Sequence, residues 1–113
     1  MKTILVVDDE PVIRSLASAS LERDGWRVVP AADAASALAE IERAPPDLIF
    51  LDLGLPGMAG EDLARRLRAD RRTASIPIVY LTGRRLEAAD EADAVLTKPF
   101  TPAALRAFAA NWL

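Results

Sequence analysis

A chain of 113 residues, 51% hydrophobic and 27% charged with a mean hydropathy of +0.13, has the composition of one globular domain over residues 1–113. Cysteine and histidine are both absent, which excludes disulfides, thiolate or imidazole metal ligands, cysteine nucleophiles and histidine general bases. Carboxylates, lysine and hydroxyls must therefore carry any chemistry. The net charge of −3 argues against nucleic-acid binding through backbone phosphates. No apolar run approaches the ~20 residues that cross a bilayer, and no leader-like apolar stretch precedes Asp8, which reads as a cytoplasmic protein without a membrane partner.

In chain order, Thr3–Val7 is a continuous aliphatic run, the pattern of a strand buried on both faces. Pro11 suits a first helical turn, and Ile13, Leu16, Ala17, Ser20 and Leu21 line one face of a helix ending near Asp24-Gly25. Trp26–Val29 predicts a second strand. Asp33 predicts an N-cap for a helix faced by Ala34, Ala37, Leu38 and Ile41 and ended by Pro45-Pro46. Leu48–Leu51 is a third buried strand, followed by a Gly/Pro-rich loop from Gly54 to Gly60 and a helix marked by Leu63, Ala64 and Leu67. Ile76–Leu81 and Ala94–Leu96 predict the fourth and fifth strands. Thr101 caps a last helix with Leu105, Phe108, Ala109 and Trp112 on its apolar face. Arg65, Arg66, Arg68, Arg71 and Arg72 read as the solvated face and end of the third helix. Strands alternating with helices imply a parallel sheet covered on both faces.

In such a sheet, sites form beyond the carboxyl ends of the strands. Asp8 and Asp9 end the first strand, Asp52 the third, Thr82 the fourth and Lys98 the fifth. Each has a structural reading of its own, as a helix cap, a turn residue or a surface lysine before Pro99; their joint placement favours a site. Converging carboxylates repel, which calls for raised pKa values or a bound cation, and all-oxygen donors suit Mg²⁺. A carboxylate can also act as nucleophile toward phosphorus, with the metal and an ammonium neutralising the transferring oxygens. Lys98 is one of two lysines against twelve arginines, and a compact ammonium suits such a point contact.

These residues lie in four segments: Leu5 to Pro11, Asp47 to Met58, Pro77 to Gly83 and Leu96 to Phe100. In that order they resemble the receiver domain of bacterial response regulators, the CheY-like modules of two-component signalling, along essentially the whole chain. The resemblance implies a flavodoxin-like, doubly wound five-stranded parallel sheet of order 2-1-3-4-5. It further implies Asp52 as phospho-acceptor, Mg²⁺ held by Asp9, Asp52 and the Gly54 carbonyl with Asp8 assisting, Thr82 on a phosphoryl oxygen, and Lys98 paired with Asp52 before a cis peptide to Pro99. The implied donor is a sensor histidine kinase or histidine phosphotransfer protein, and the implied output is binding of a downstream protein.

Three features depart from the family pattern. The stretch from Thr82 to Lys98 is short, predicting a stunted or missing fourth helix and a monomer or weak dimer. Val95 stands where the family carries a switch aromatic, and Tyr80, on Thr82's side of its strand, is not expected to replace it. Gly54 offers no side chain beside the acceptor. A dehalogenase-type phosphatase would need an acid where Gly54 stands, which disfavours that enzyme. A pseudo-receiver, docking partners without regulated phosphorylation, is the alternative function. Either a stand-alone receiver or a piece of a longer regulator or hybrid kinase fits the sequence.

Overall fold

A computed structural model of the chain describes residues 1–83 and 90–113. Five strands, β1 (Thr3–Val7), β2 (Arg27–Ala31), β3 (Leu48–Asp52), β4 (Ile78–Thr82) and β5 (Ala94–Thr97), form one parallel sheet of order β2-β1-β3-β4-β5. The described helices are α1 (Pro11–Glu22), α2 (Ala34–Arg43), α3 (Gly60–Ala69) and α4 (Pro102–Trp112). The expected short or missing helix between β4 and β5 falls on residues 84–89, outside the described residues. None of the described helices is long and apolar enough to cross a membrane.

Alternation along each strand divides the core. Leu5, Val7, Ile49, Leu51, Ile78 and Tyr80 face one side, where Ala34, Ala37 and Ile41 of α2 and Leu63, Ala64 and Leu67 of α3 cover them. Ile4, Val6, Leu48, Phe50, Val79 and Leu81 face the other, under Ala17 and Leu21 of α1 and Leu105 and Ala109 of α4. Both faces of β1, β3 and β4 are thus dry, and each such aliphatic side chain contributes about 1.5–3 kcal/mol of burial.

The third and fifth strands each run one residue past the sequence pattern, to Asp52 and Thr97, and two strands differ more. The second strand runs from Arg27 to Ala31 instead of Trp26–Val29, carrying Pro30 inside it. β2 is an edge that pairs only with β1, so the missing proline N–H leaves no ladder bond unmade. The fourth strand starts at Ile78 and ends at Thr82; Ile76 is still in a turn, its amide donating to the Thr73 carbonyl, and Pro77 has no amide to offer a neighbour.

The arginine-rich end of α3 also differs from a purely solvated face. Arg65 pairs with Asp62 and Arg72 with Asp70 at the surface, but Arg68 turns inward. Its guanidinium donates to the carbonyls of Glu91 (3.0 Å), Ala74 (2.9 Å) and Ile76 (2.6 Å) and to the Asp93 carboxylate (2.9 Å), which also accepts from the Ile78 amide at 2.9 Å. One planar donor set therefore fixes the end of α3 to the entrances of β4 and β5.

Gly60 makes a comparable junction at the other end of α3. A Cβ there would lie 2.5 Å from the Asp52 carbonyl oxygen and 2.8 Å from the Leu53 Cα, both backbone atoms. Only glycine lets the first turn of α3 close against the peptide that carries Asp52. Gly60→Ala is therefore expected to destabilise the fold by about 1–3 kcal/mol through overpacking, read as a lower denaturant midpoint. Arg68→Met, which takes the donor from the part-buried carbonyl bonds of Ile76 and Glu91, should cost about 1–3 kcal/mol in the same assay.

Candidate functional site

Strand register assembles the site. β1 and β3 are neighbours with Val7 opposite Leu51, so the next residues, Asp8 and Asp52, emerge side by side at the carboxyl edge. This is also where strand order reverses, since β1 leads outward to β2 and the chain then returns to β3. β4 pairs Leu81 with Asp52, and β5 pairs Thr97 with Thr82, which delivers Thr82 and Lys98 to the same edge. The Lys98 amide donates to the Thr82 carbonyl at 2.8 Å, and the Lys98–Pro99 peptide is cis.

Asp8 is fully buried and Asp52 is 7% exposed. Lys98 Nζ lies 2.8 Å from Asp8 Oδ2, 3.5 Å from Asp52 Oδ1 and 4.0 Å from Glu10 Oε1. Its shorter contact is thus with Asp8, not with Asp52, because Asp8 is the more deeply buried charge. Asp8 Oδ1 accepts from the Glu10 amide at 2.9 Å. Asp8 Oδ2 is buried, and its close polar neighbour is the Lys98 ammonium at 2.8 Å. Asp9 and Glu10 are exposed, and carboxylate oxygens of Asp8, Asp9 and Glu10 lie within 4.8 Å of one another. Glu10 therefore joins the acidic group although sequence reasoning gave it no role; three acids in a row after a buried strand were the signal for it.

At the Asp52 carboxylate, the Gly54 amide donates to Oδ1 at 3.2 Å. A Cβ on Gly54 would approach only the Asp52 oxygens, at 3.9 and 4.0 Å, so the glycine leaves that approach clear of side chain. Thr82 is buried at the end of β4. Tyr80 is buried opposite Val95, and its hydroxyl has no hydrogen-bond partner among the described residues.

Electrostatics follow from this crowding. Burial raises the Asp52 pKa above the usual carboxylate value, against the opposing Gly54 hydrogen bond; the charge of Asp8 adds to the rise, Lys98 counters it, and Asp9 adds again. For Lys98, burial disfavours the ammonium, but contact with Asp8 and the charges of Asp8, Asp52 and Glu10 outweigh it and hold the pKa above its ordinary value. A carboxyl whose folded pKa is raised binds its proton more tightly when folded. Its contribution to stability is therefore present at low pH and lost as pH rises through the folded value. Asp52→Asn is accordingly expected to raise the thermal midpoint of the metal-free protein at neutral pH. That gain should shrink as pH falls through the Asp52 titration; a gain independent of pH in thermal melts would contradict the buried-carboxylate account.

Comparison with known proteins agrees with this geometry. Residues 4–110 match the model of the response regulator receiver domain. The phosphate regulon transcriptional regulatory protein PhoB of Pseudomonas aeruginosa is 43% identical over 107 residues, covering 89% of this chain and 47% of that protein. The DNA-binding regulator RpaA of Synechocystis is 42% identical over 106 residues, covering 88% and 44%. The chain thus spans about half the length of the curated relatives it matches. Among solved structures, the chemotaxis response regulator CheY4 of Vibrio cholerae superposes with a TM-score of 0.93 at 33% identity, covering 100% of this chain and 99% of that one. The receiver domain of a sensor histidine kinase from Pseudomonas aeruginosa, solved with a magnesium ion coordinated in its active site cleft, gives a TM-score of 0.88 at 32% identity, covering 98% and 96%. The parallel sheet of order β2-β1-β3-β4-β5 stands beside close sequence and structural similarity along the chain, and this chain belongs to the response regulator receiver domains.

Proposed function

We propose that the chain is the phospho-accepting receiver of a two-component or phosphorelay pathway, in which Asp52 takes a phosphoryl group from a kinase phosphohistidine with Mg²⁺ bound beside it. Receivers of this family are signalling modules that work with histidine kinases, not enzymes with a separate turnover substrate. The observation that carries the reading is the Lys98 ammonium in contact with both the Asp52 and the Asp8 carboxylates at the carboxyl edge of the sheet.

In the proposed transfer an Asp52 oxygen attacks phosphorus and forms an acyl phosphate O–P bond. The P–N bond to the donor imidazole breaks, its electron pair stays on the ring nitrogen, and that nitrogen regains a proton from solvent. Lys98 neutralises the transferring oxygens, and the Thr82 hydroxyl is assigned to one of them. Asp9, Asp52 and the Gly54 carbonyl are assigned to hold the metal, with Asp8 assisting. The donors suit Mg²⁺: they are carboxylate and carbonyl oxygens, and the carboxylates of Asp8, Asp9 and Asp52 carry more negative charge than the Lys98 ammonium alone offsets. When bound, the ion supplies positive charge against the carboxylates and the phosphoryl oxygens.

The output is proposed to be altered binding of a partner protein. PhoB and RpaA act as transcriptional regulators as whole proteins; for this chain, with its net charge of −3, we assign no nucleic-acid partner. The pseudo-receiver reading draws support from one feature, Val95 opposite a Tyr80 hydroxyl without a hydrogen-bond partner among the described residues, which lacks the aromatic switch of the family.

Incubation with Mg²⁺ and a small acyl phosphate is expected to add one phosphoryl group, seen by intact mass spectrometry, and Asp52→Asn should abolish it. An unmodified wild type, or an adduct surviving in Asp52→Asn, would sink the assignment. Partner capture that is identical for phosphorylated protein and Asp52→Asn would favour the constitutive dock.

A further inference from the structure

The backbone of Asp8 is held more tightly than the transfer chemistry requires. Its amide donates to the Ala31 carbonyl at 3.0 Å, tying it to β2. Its carbonyl accepts from Arg14 Nη1 at 2.9 Å, across the first turn of α1. Arg14 is half-buried, and its guanidinium reaches back toward the carboxyl edge of the sheet instead of into solvent. At the start of α1, Asp8 Oδ1 accepts from the Glu10 amide at 2.9 Å, while Glu10 stands at the N-cap without a side-chain cap bond and Pro11 has no amide to offer.

The Asp8–Asp9 peptide is planar, so holding the Asp8 carbonyl oxygen also fixes the direction in which the Asp9 Cα leaves. Asp9 is exposed, and packing therefore does not fix its carboxylate. Like charges from Asp8 and Glu10 lie within 4.8 Å and would drive it away. We propose that Arg14 is a positioning residue for the divalent-cation site: its guanidinium clamps the Asp8–Asp9 peptide so that the Asp9 carboxylate stays presented beside Asp8. The proposal rests on the cation site described above and adds a residue that touches neither the metal nor the phosphoryl group. Partners behind a ligand characteristically set affinity by restraining orientation.

The clamp separates from a general charge effect by a thermodynamic cycle. Mg²⁺ binding is measured by titration calorimetry on wild type, Arg14→Met, Arg14→Lys, Asp9→Asn and the Arg14→Met/Asp9→Asn double variant. Arg14→Met is expected to weaken Mg²⁺ roughly 10-fold, with partial recovery in Arg14→Lys, which keeps the charge and one donor. In the Asp9→Asn background the same change should add less than about twofold, because the residue it positions is gone. A second readout needs no metal: amide exchange at Asp9 and Glu10 should quicken in Arg14→Met and in part in Arg14→Lys, while exchange in β3 and β4 is unchanged. Mg²⁺ affinity in Arg14→Met within about twofold of wild type, or an equal loss with and without the Asp9 carboxylate, would overturn the clamp. Should Arg14→Met not fold, Arg14→Lys carries both readouts, and wild-type affinity with wild-type exchange in it overturns the clamp equally. A wild type that binds no Mg²⁺ would instead overturn the cation site itself, while the exchange measurement still judges the peptide clamp.

Discussion

Two carboxylates on adjacent parallel strands repel, and Asp8 and Asp52 are nevertheless held side by side at low exposure. The β1–β3 register forces this pairing: with Val7 locked opposite Leu51, neither acid can withdraw without breaking ladder bonds between strands buried on both faces. The Lys98 ammonium offsets part of the repulsion, and it reaches both acids because β5 ends at their edge of the sheet. The fold thus stores electrostatic cost at one place, and anything that brings positive charge to that edge relieves it.

The rest of the architecture keeps that edge from relaxing. Gly60 lets α3 close directly on the peptide of Asp52, so the Asp52 loop is backed by a helix instead of solvent. At the far end of the same helix Arg68 gathers the carbonyls of Ala74, Ile76 and Glu91 and the Asp93 carboxylate. α3 is therefore fixed at one end to the strand bearing Asp52 and at the other to the approaches to β4 and β5, which bear Thr82 and Lys98. Arg14 does the corresponding work on α1, tying the helix to the end of β1. Residues that touch no reacting atom hold the ones that do.

The Tyr80–Val95 pair bears on the proposed output. Tyr80 and Val95 face each other across β4 and β5 on the α3 side of the sheet. Burial raises the Tyr80 pKa, and the charges of Glu61, Glu91 and Asp90 add to it, so the phenol stays neutral. Its hydroxyl has no hydrogen-bond partner among the described residues, and a buried hydroxyl left so costs about 1–3 kcal/mol. The aliphatic Val95 offers it nothing to bond.

Much of this was legible in the residues themselves. Continuous aliphatic runs, separated by stretches with 3.6-residue apolar spacing, dictate a doubly covered parallel sheet, since each run must be dry on both faces and each helix has one apolar stripe to bury. Acids, a threonine and a lysine at successive strand ends then mark the carboxyl edge. The chain by itself does not state register, and register is a tertiary property, set when whole strands slide until both faces pack. That is why the position of Lys98 nearer Asp8 than Asp52, the inclusion of Glu10 among the acids, and the inward turn of Arg68 emerge only from the folded coordinates. Local pattern fixed which residues could meet. Packing of the two layers decided which of them do, because distances of 3 to 4 Å between side chains from different strands depend on every contact that holds the strands in place.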